Sequence, residues 1–162
     1  MPSSLANPAL EVLVFEIGGQ QHAFPAAAIK ELVPMVAFAP LAERPTFIEG
    51  IVNYRGTIVP LLDFRGRLGL PARPALPSDH LIVAWAGERL VAVRVDRVTA
   101  LVQLAADRVE PAERVAPGLD SAAWVAQLPD RLVLVHDLNA LLPRVEAARL
   151  APALDSADPE GS

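Results

Sequence analysis

Residues able to do acid–base, nucleophilic or metal chemistry are few and scattered along this chain. The three histidines, His22, His80 and His136, each stand alone in a strand-like context. None has the His-x-x-x-His or related spacing that brings two imidazoles to one metal ion, so packed or surface strand positions are expected for all three. His136 beside Asp137 is no signal, because neighbouring strand residues point to opposite faces. The serines fall in termini and loops without a nucleophile elbow. Gly66-Arg67-Leu68-Gly69 lacks the glycine count and the lysine of a phosphate loop. The absence of cysteine excludes disulfides, thiolate metal sites and cysteine nucleophiles. Neither a catalytic residue nor a metal or cofactor is expected.

The residue with the most pronounced recognition chemistry is Arg55, between Tyr54 and Gly56 at a turn that enters an apolar run. Its planar guanidinium offers five donors to a partner's carboxylates or carbonyls, and Gly56 permits φ > 0 and close backbone approach. The alternative is an ion pair inside the domain, with Asp63 a candidate partner. Asn53, Asp63 and Gly56 are expected to stabilise turns, and Asp96 to cap one.

The elements that must position these residues are short. Sixteen prolines punctuate the chain, each removing a backbone donor and fixing φ. Leu13–Ile17, Gly18-Gly19 and Gln21–Phe24 read as a hairpin. Pro25–Val33 has Ile29, Leu32 and Val33 at helical spacing behind a proline suited to a first turn, which predicts one short helix, with a strand over Val33–Phe38. A helical turn is predicted over Thr46–Val52, and a buried strand over Thr57–Phe64, with Pro60 favouring an edge or a bulge. Residues 66–78, rich in glycine and proline, read as the clearest boundary. Beyond it, His80–Ala86 and Arg89–Val95 form a second hairpin, followed by strands at Val98–Leu104, Trp124–Leu128 and Leu132–Val135. A short helix at Asp137–Leu142 is capped by Asp137. No sequence repeat is strong enough to establish a duplication.

The 162 residues, 52% of them hydrophobic, suffice for one domain or two very small fused ones. No apolar stretch approaches the roughly 18–20 residues that cross a bilayer. The N-terminus has no basic residue ahead of an apolar run, so a cytoplasmic protein without direct membrane insertion is expected. The net charge is −5, and the arginines are scattered and outnumbered by carboxylates, which argues against nucleic acid as a partner.

Pro45-Thr46-Phe47-Ile48-Glu49-Gly50-Ile51-Val52-Asn53-Tyr54-Arg55-Gly56-Thr57-Ile58-Val59-Pro60-Leu61-Leu62-Asp63-Phe64-Arg65 closely resembles the CheW-like family pattern. In that pattern a Pro-x-x-Ile/Val-x-Gly opening leads to Asn-x-Arg-Gly and then to Pro-x-x-Asp-x-Arg. Leu13-Val14-Phe15, Ile29-x-Glu31-Leu32-Val33, Val93-x-Val95-Asp96-x-Val98 and Asp130-Arg131 to Leu142 resemble other parts of the family more loosely. Two features depart from it: Arg97 stands where relatives often have glycine, and Gly118–Trp124 replaces a glycine-rich loop.

The resemblance implies an all-β fold with short helices, built as two small SH3-like five-stranded β-barrels packed side by side. On this reading residues 1–10 are a flexible N-terminus and 11–145 the CheW-like domain, with a subdomain break near 66–78. Residues 146–162 are a disordered tail. The implied function is that of a non-enzymatic adaptor between chemoreceptor cytoplasmic tips and the regulatory domain of a CheA-type histidine kinase, recruited to membrane receptor arrays. Ile29, Glu31, Gly50, Asn53, Arg55 and Gly56 fall where the family makes partner contacts. Two alternatives stand beside it: a CheW-like scaffold for pilus motility or second-messenger output, and a small β-barrel enzyme or ligand carrier.

Overall fold

Gly18 and Gly19 adopt φ of 59° and 79° and turn the chain between β1 (Ala9–Ile17) and β2 (Gln20–Pro25). Two successive positive φ values are what a type I′ hairpin demands, and the register runs from Ile17↔Gln20 to Val12↔Pro25. This hairpin begins a computed structural model that describes residues 9–40, 47–115, 123–141 and 143. Residues 1–8, 41–46, 116–122, 142 and 144–162 lie outside the described residues, and with them most of the expected flexible ends and of the divergent loop, and the Pro45-Thr46 opening of the family motif. Ala9 and Leu10, expected in the flexible N-terminus, belong to β1 and pair with Ala105 and Leu104.

The other strands are β3 (Ile29–Pro34), β4 (Ala39–Pro40), β5 (Ile48–Tyr54), β6 (Thr57–Leu62), β7 (His80–Ala86), β8 (Arg89–Val95), β9 (Arg97–Ala105), β10 (Val109–Pro111), β11 (Ala123–Gln127) and β12 (Leu132–His136). Two four-residue helices, α1 (Phe64–Arg67) and α2 (Ala112–Val115), and three 3-10 turns complete the described elements. The strands form two six-stranded sheets, β10-β11-β12-β2-β1-β9 and β3-β7-β8-β6-β5-β4, in place of the expected five strands each. In each sheet two antiparallel hairpins meet along one parallel seam: β12 with β2 in the first, β6 with β8 in the second. Each sheet also has an edge strand preceded by a 3-10 turn, Ala26–Ala28 before β3 and Ala106–Arg108 before β10. The two sheets therefore echo each other in topology without a legible sequence repeat.

Residues 66–78, expected to separate two halves, instead join β6 and α1 to β7 inside the second sheet. The chain crosses between sheets at Pro25–Ile29 and at Val95–Arg97, so the first sheet holds β1, β2 and β9 to β12 and the second the six strands between.

Three local expectations are also corrected. Pro25–Val33 is one 3-10 turn followed by strand. Exposure along β3 alternates residue by residue, so pairing with β7 at period two overrides a spacing that also fitted a helix. Val33–Phe38 is strand only as far as Pro34. Of Thr46–Val52, Thr46 lies outside the described residues and Ile48–Val52 belong to β5 in place of a helical turn. There Gly50 lies so close to its neighbour that an added Cβ would sit 2.6 Å from the Phe38 ring and 2.7 Å from the Ala39 carbonyl oxygen. Pro60 is buried in an interior strand, yet the pairing of β6 with β8 runs through Leu61 and Leu62. Proline thus sits just before the seam, where its missing N–H costs no ladder bond there.

Three apolar cores follow. Val12, Val14, Ala23, Val133 and Val135 fill the first sheet's own core; Val52, Tyr54, Val59, Leu61 and Val83 fill the second's. The largest lies between the sheets, where Phe15, Ile17 and Phe24 of the first meet Ile48, Leu62 and Val93 of the second, with Phe64, Leu138 and Leu141. Burying each such side chain stabilises by about 1.5–3 kcal/mol, so the sheets are held as one unit.

Candidate functional site

The tip of the β5–β6 hairpin is made by Arg55 and Gly56, with φ of 51° and 86°, again the type I′ pair. Asn53 Oδ1 accepts the Gly56 N–H at 2.8 Å, which fastens the turn as an Asx contact does. Left-handed backbone costs an L-residue roughly 1–2 kcal/mol, and Arg55 accepts that cost where the corresponding hairpin in the other sheet uses Gly18-Gly19. Its guanidinium lies over the Tyr54 ring, 5.3 Å from the centroid, and its side chain is 70% exposed.

Strand β3 faces this tip. In sheet order β3 and β5 are far apart, yet Arg55 Nη2 reaches Glu31 Oε2 at 2.7 Å and the Tyr54 hydroxyl donates to Glu31 Oε1. The sheet must curl until its edges approach, which is how a barrel-like wall forms from a linear strand order. The hydrogen bond to Glu31 raises the Tyr54 pKa above its usual value, with burial acting in the same direction. Exposed pairs like Arg55–Glu31 stabilise by only about 0.2–1 kcal/mol, so the pair orients the arginine more than it holds the fold. The intramolecular partner is Glu31, not Asp63, whose Oδ1 caps Gly66 N–H at 3.0 Å in α1.

Of the residues singled out in the sequence, Glu31, Asn53, Arg55 and Gly56 come together here. Ile29 opens β3, half-buried beside the shared core, and Gly50 is buried beneath Phe38. Exposed Ile58 pairs with Asn53 across the hairpin, so the surface offers a charged centre with an apolar side chain beside it.

Two clusters escaped sequence reading. Asp96 caps the Gly18 N–H at 2.8 Å, as a turn-capping role requires, but it also accepts from Arg65 at 2.8 Å and Arg73 at 2.6 Å. Arg73 and Arg94 continue to Asp79, and Arg94 to Glu49 at 2.9 Å. Burial alone would push the Asp79 carboxyl up, but hydrogen bonds from Arg73, from the Leu76 N–H and from Arg94 hold it below the usual carboxylate range. Asp96 likewise overcomes the upward push of burial through the Gly18 N–H, Arg73 and Arg65. The network ties the 66–79 segment to both sheets. The second cluster pairs His22 with His136, ring nitrogens 3.0 Å apart and both rings buried; only His80 is exposed.

An open groove of about 380 Å³ lies where the sheets meet, lined by Trp85, Trp124, Pro25, Ala28, Asp137 and Asn139 among others. Asp137 Oδ1 is committed to the Asn139 and Ala140 N–H groups, capping the turn there. Among the described residues no group of three or more His, Asp or Glu could hold a metal ion, and no helix is long and apolar enough to cross a membrane.

A family model of the CheW-like domain matches residues 11–146. The chain belongs to the CheW-like family. Among relatives, it is 26% identical over 144 residues to the chemotaxis protein CheW of Rhizobium meliloti (strain 1021), covering 88% of this chain and 93% of that one. It is 28% identical over 140 residues to the chemotaxis protein CheW of Klebsiella aerogenes, covering 85% and 84%. The crystal structure of the scaffolding protein TtCheW from Thermoanaerobacter tengcongensis superposes with a TM-score of 0.70 at 25% identity, covering 80% of this chain and 91% of that chain. The side-by-side β-sheets with few short helices are thus the CheW fold, and the hairpin tip and β3 occupy the CheW-like domain.

Proposed function

We propose that this CheW-like chain is a non-enzymatic scaffold that couples chemoreceptor cytoplasmic tips to the regulatory domain of a CheA-type histidine kinase. Its partner-binding surface is the β5–β6 tip with the facing part of β3: Ile29, Glu31, Asn53 and Arg55, shaped by Gly50 and Gly56. Contact with receptors recruits it to their membrane arrays. The observation that carries this reading is the backbone of Arg55. A non-glycine residue in left-handed conformation at an exposed turn lowers stability, and such strain concentrates where a side chain has work beyond folding. Arginine is also enriched among residues that dominate interface energies. Relatives named for chemotaxis and a neighbour titled a scaffolding protein support the same reading.

The test is capture of the purified chain on the regulatory region of each CheA-type kinase, and on receptor tip fragments, of its source organism. Arg55→Glu is expected to reduce capture while leaving the folded circular-dichroism spectrum unchanged. Loss of the folded spectrum would assign Arg55 an internal structural role, and undiminished capture would move the interface elsewhere.

A further inference from the structure

We infer that His22 and His136 form an acid-sensitive latch that holds the two hairpins of the first sheet together. His22 lies on β2 of the N-terminal hairpin and His136 at the end of β12 of the C-terminal hairpin. The parallel seam between them is short, with Leu134↔His22 and Val135↔Ala23 in register. His22 Nδ1 faces His136 Nε2 at 3.0 Å, and His22 Nε2 faces Gln20 Oε1 at 3.2 Å. An amide oxygen only accepts, so His22 Nε2 carries the proton and donates. In the neutral ring Nδ1 then accepts, and His136 Nε2–H is the donor. The network assigns both rings as neutral Nε2–H tautomers.

A proton added to His22 enters at Nδ1 and brings two N–H groups face to face. The charge would also sit in an aromatic cluster. Phe15 and Phe24 lie 6.3 Å from His22 and His136 respectively, and Phe64 meets His136 edge-on at 5.3 Å. Among the described residues, the charged groups on the elements packed against His22 are engaged elsewhere. Glu16 of β1 is paired with Arg97, and Arg65 of α1 with Asp96. Arg67 stacks on the far partner, Phe64. Asp137 caps the turn that follows β12, Glu11 of β1 is exposed, and β2, β11 and β12 carry no carboxylate or cationic side chain besides the two histidines. Burial accordingly pushes the His22 pKa below its usual 6.5.

The latch reaches the second sheet through the residues after His136. Leu138 and Leu141 sit in the shared core, and Asn139 Oδ1 accepts the Gly87 N–H of the β7–β8 turn at 2.7 Å. Releasing β12 from β2 frees the segment that bridges the sheets.

The unfolded chain binds protons from pH 6.5 downward while the closed latch does not, so the latch loses stability as pH falls below 6.5, until the folded ring itself titrates. Amide hydrogen exchange of the full chain between pH 7.5 and 5, corrected for intrinsic rates, tests this. Opening of residues 20–24 and 132–138 is expected to rise about tenfold per pH unit below 6.5, for the one proton that the buried His22 excludes. At pH 5 these amides should exchange at least about tenfold faster than those of β7 and β8, the signature of local opening. His22→Gln should remove that rise. Should that variant fold poorly, imidazole ¹⁵N shifts of the wild-type chain decide the matter through the tautomers and the His22 midpoint. A seam as protected as β7–β8 at every pH, or a His22 that titrates at or above 6.5, overturns the latch.

Discussion

Replacing Asp96 with alanine is expected to loosen the joint between the sheets more than any other single change of a partly exposed side chain. Asp96 follows β8 at the point where the chain leaves the second sheet. Its Oδ2 accepts the Gly18 N–H of the β1–β2 turn at 2.8 Å. Its Oδ1 accepts from Arg65 at 2.8 Å and Arg73 at 2.6 Å. Hydrogen bonds to charged groups contribute about 1.5–3 kcal/mol each when well shielded, but the Asp96 side chain is 28% exposed, and screening reduces that. Against this, Arg65 is only 11% exposed and loses a carboxylate partner, which is more costly than losing a surface pair. Together these give a loss of about 2–4 kcal/mol, a roughly 30-fold to 700-fold fall in the folding constant. Urea unfolding of Asp96→Ala and Asp96→Asn beside wild type measures it. Asparagine keeps an acceptor for Gly18 but not the ion pairs, so it should fall between the two, and the Asn–Ala difference reports the turn cap. A loss under about 0.5 kcal/mol for alanine, the size of an ordinary surface substitution, would refute the reasoning.

Other perturbations separate shape from chemistry. Arg55→Asn creates the Asn-Gly pair favoured in type I′ turns; unfolding should show a gain of about 0.5–1 kcal/mol as left-handed strain relaxes, while kinase capture falls by about tenfold or more, as for an interface arginine. Gly50→Ala forces a methyl group against Phe38 and the Ala39 carbonyl, and calorimetry should show a loss of about 1–3 kcal/mol, typical of overpacking. Asp79 and Asp96 titrate below the unfolded value of 3.8, so their stabilisation is complete above that pH and drains away as pH falls through their folded values. Asp96→Asn should therefore flatten the acid limb of a stability–pH curve below about pH 4.

Wherever local chemistry settled the matter, the sequence was readable. Gly18-Gly19 and Gly87 announced hairpins because positive φ leaves few residue choices, and Asp63, Asn53 and Asp137 announced caps because their partners lie two or three residues away. Beta-strand against helix at Ile29–Val33 was not readable, because five residues satisfy both periods and only the partner strand β7 decides. The Glu31–Arg55 contact was missed for a related reason: it depends on how far the second sheet curls, which no local spacing encodes. His22 and His136 looked isolated at a separation of 114 residues, and only the parallel β2–β12 seam brings them together. The 66–78 stretch looked like a boundary by composition, but Arg73 and Asp79 bind it back into the ionic network. The weak signal available there was an arginine inside a Gly/Pro-rich segment and an aspartate immediately after it.

The exchange of the chain between sheets bears on how such a scaffold can hold two partners at a fixed angle. If the halves were sequential, one linker would join them and the angle would rest on that linker. Here the chain crosses twice, at Pro25–Ile29 and Val95–Arg97, and each crossing is pinned. Phe24 at the first packs against Phe64, ring centroids 5.5 Å apart. Asp96 at the second binds groups from both sheets. A hinge motion would have to break the shared core and the ionic network together, at a cost well above thermal energy. The exposed Arg55–Glu31 surface therefore sits on a frame whose orientation is set by packing, and the strain of one arginine turn can be carried without loosening the fold.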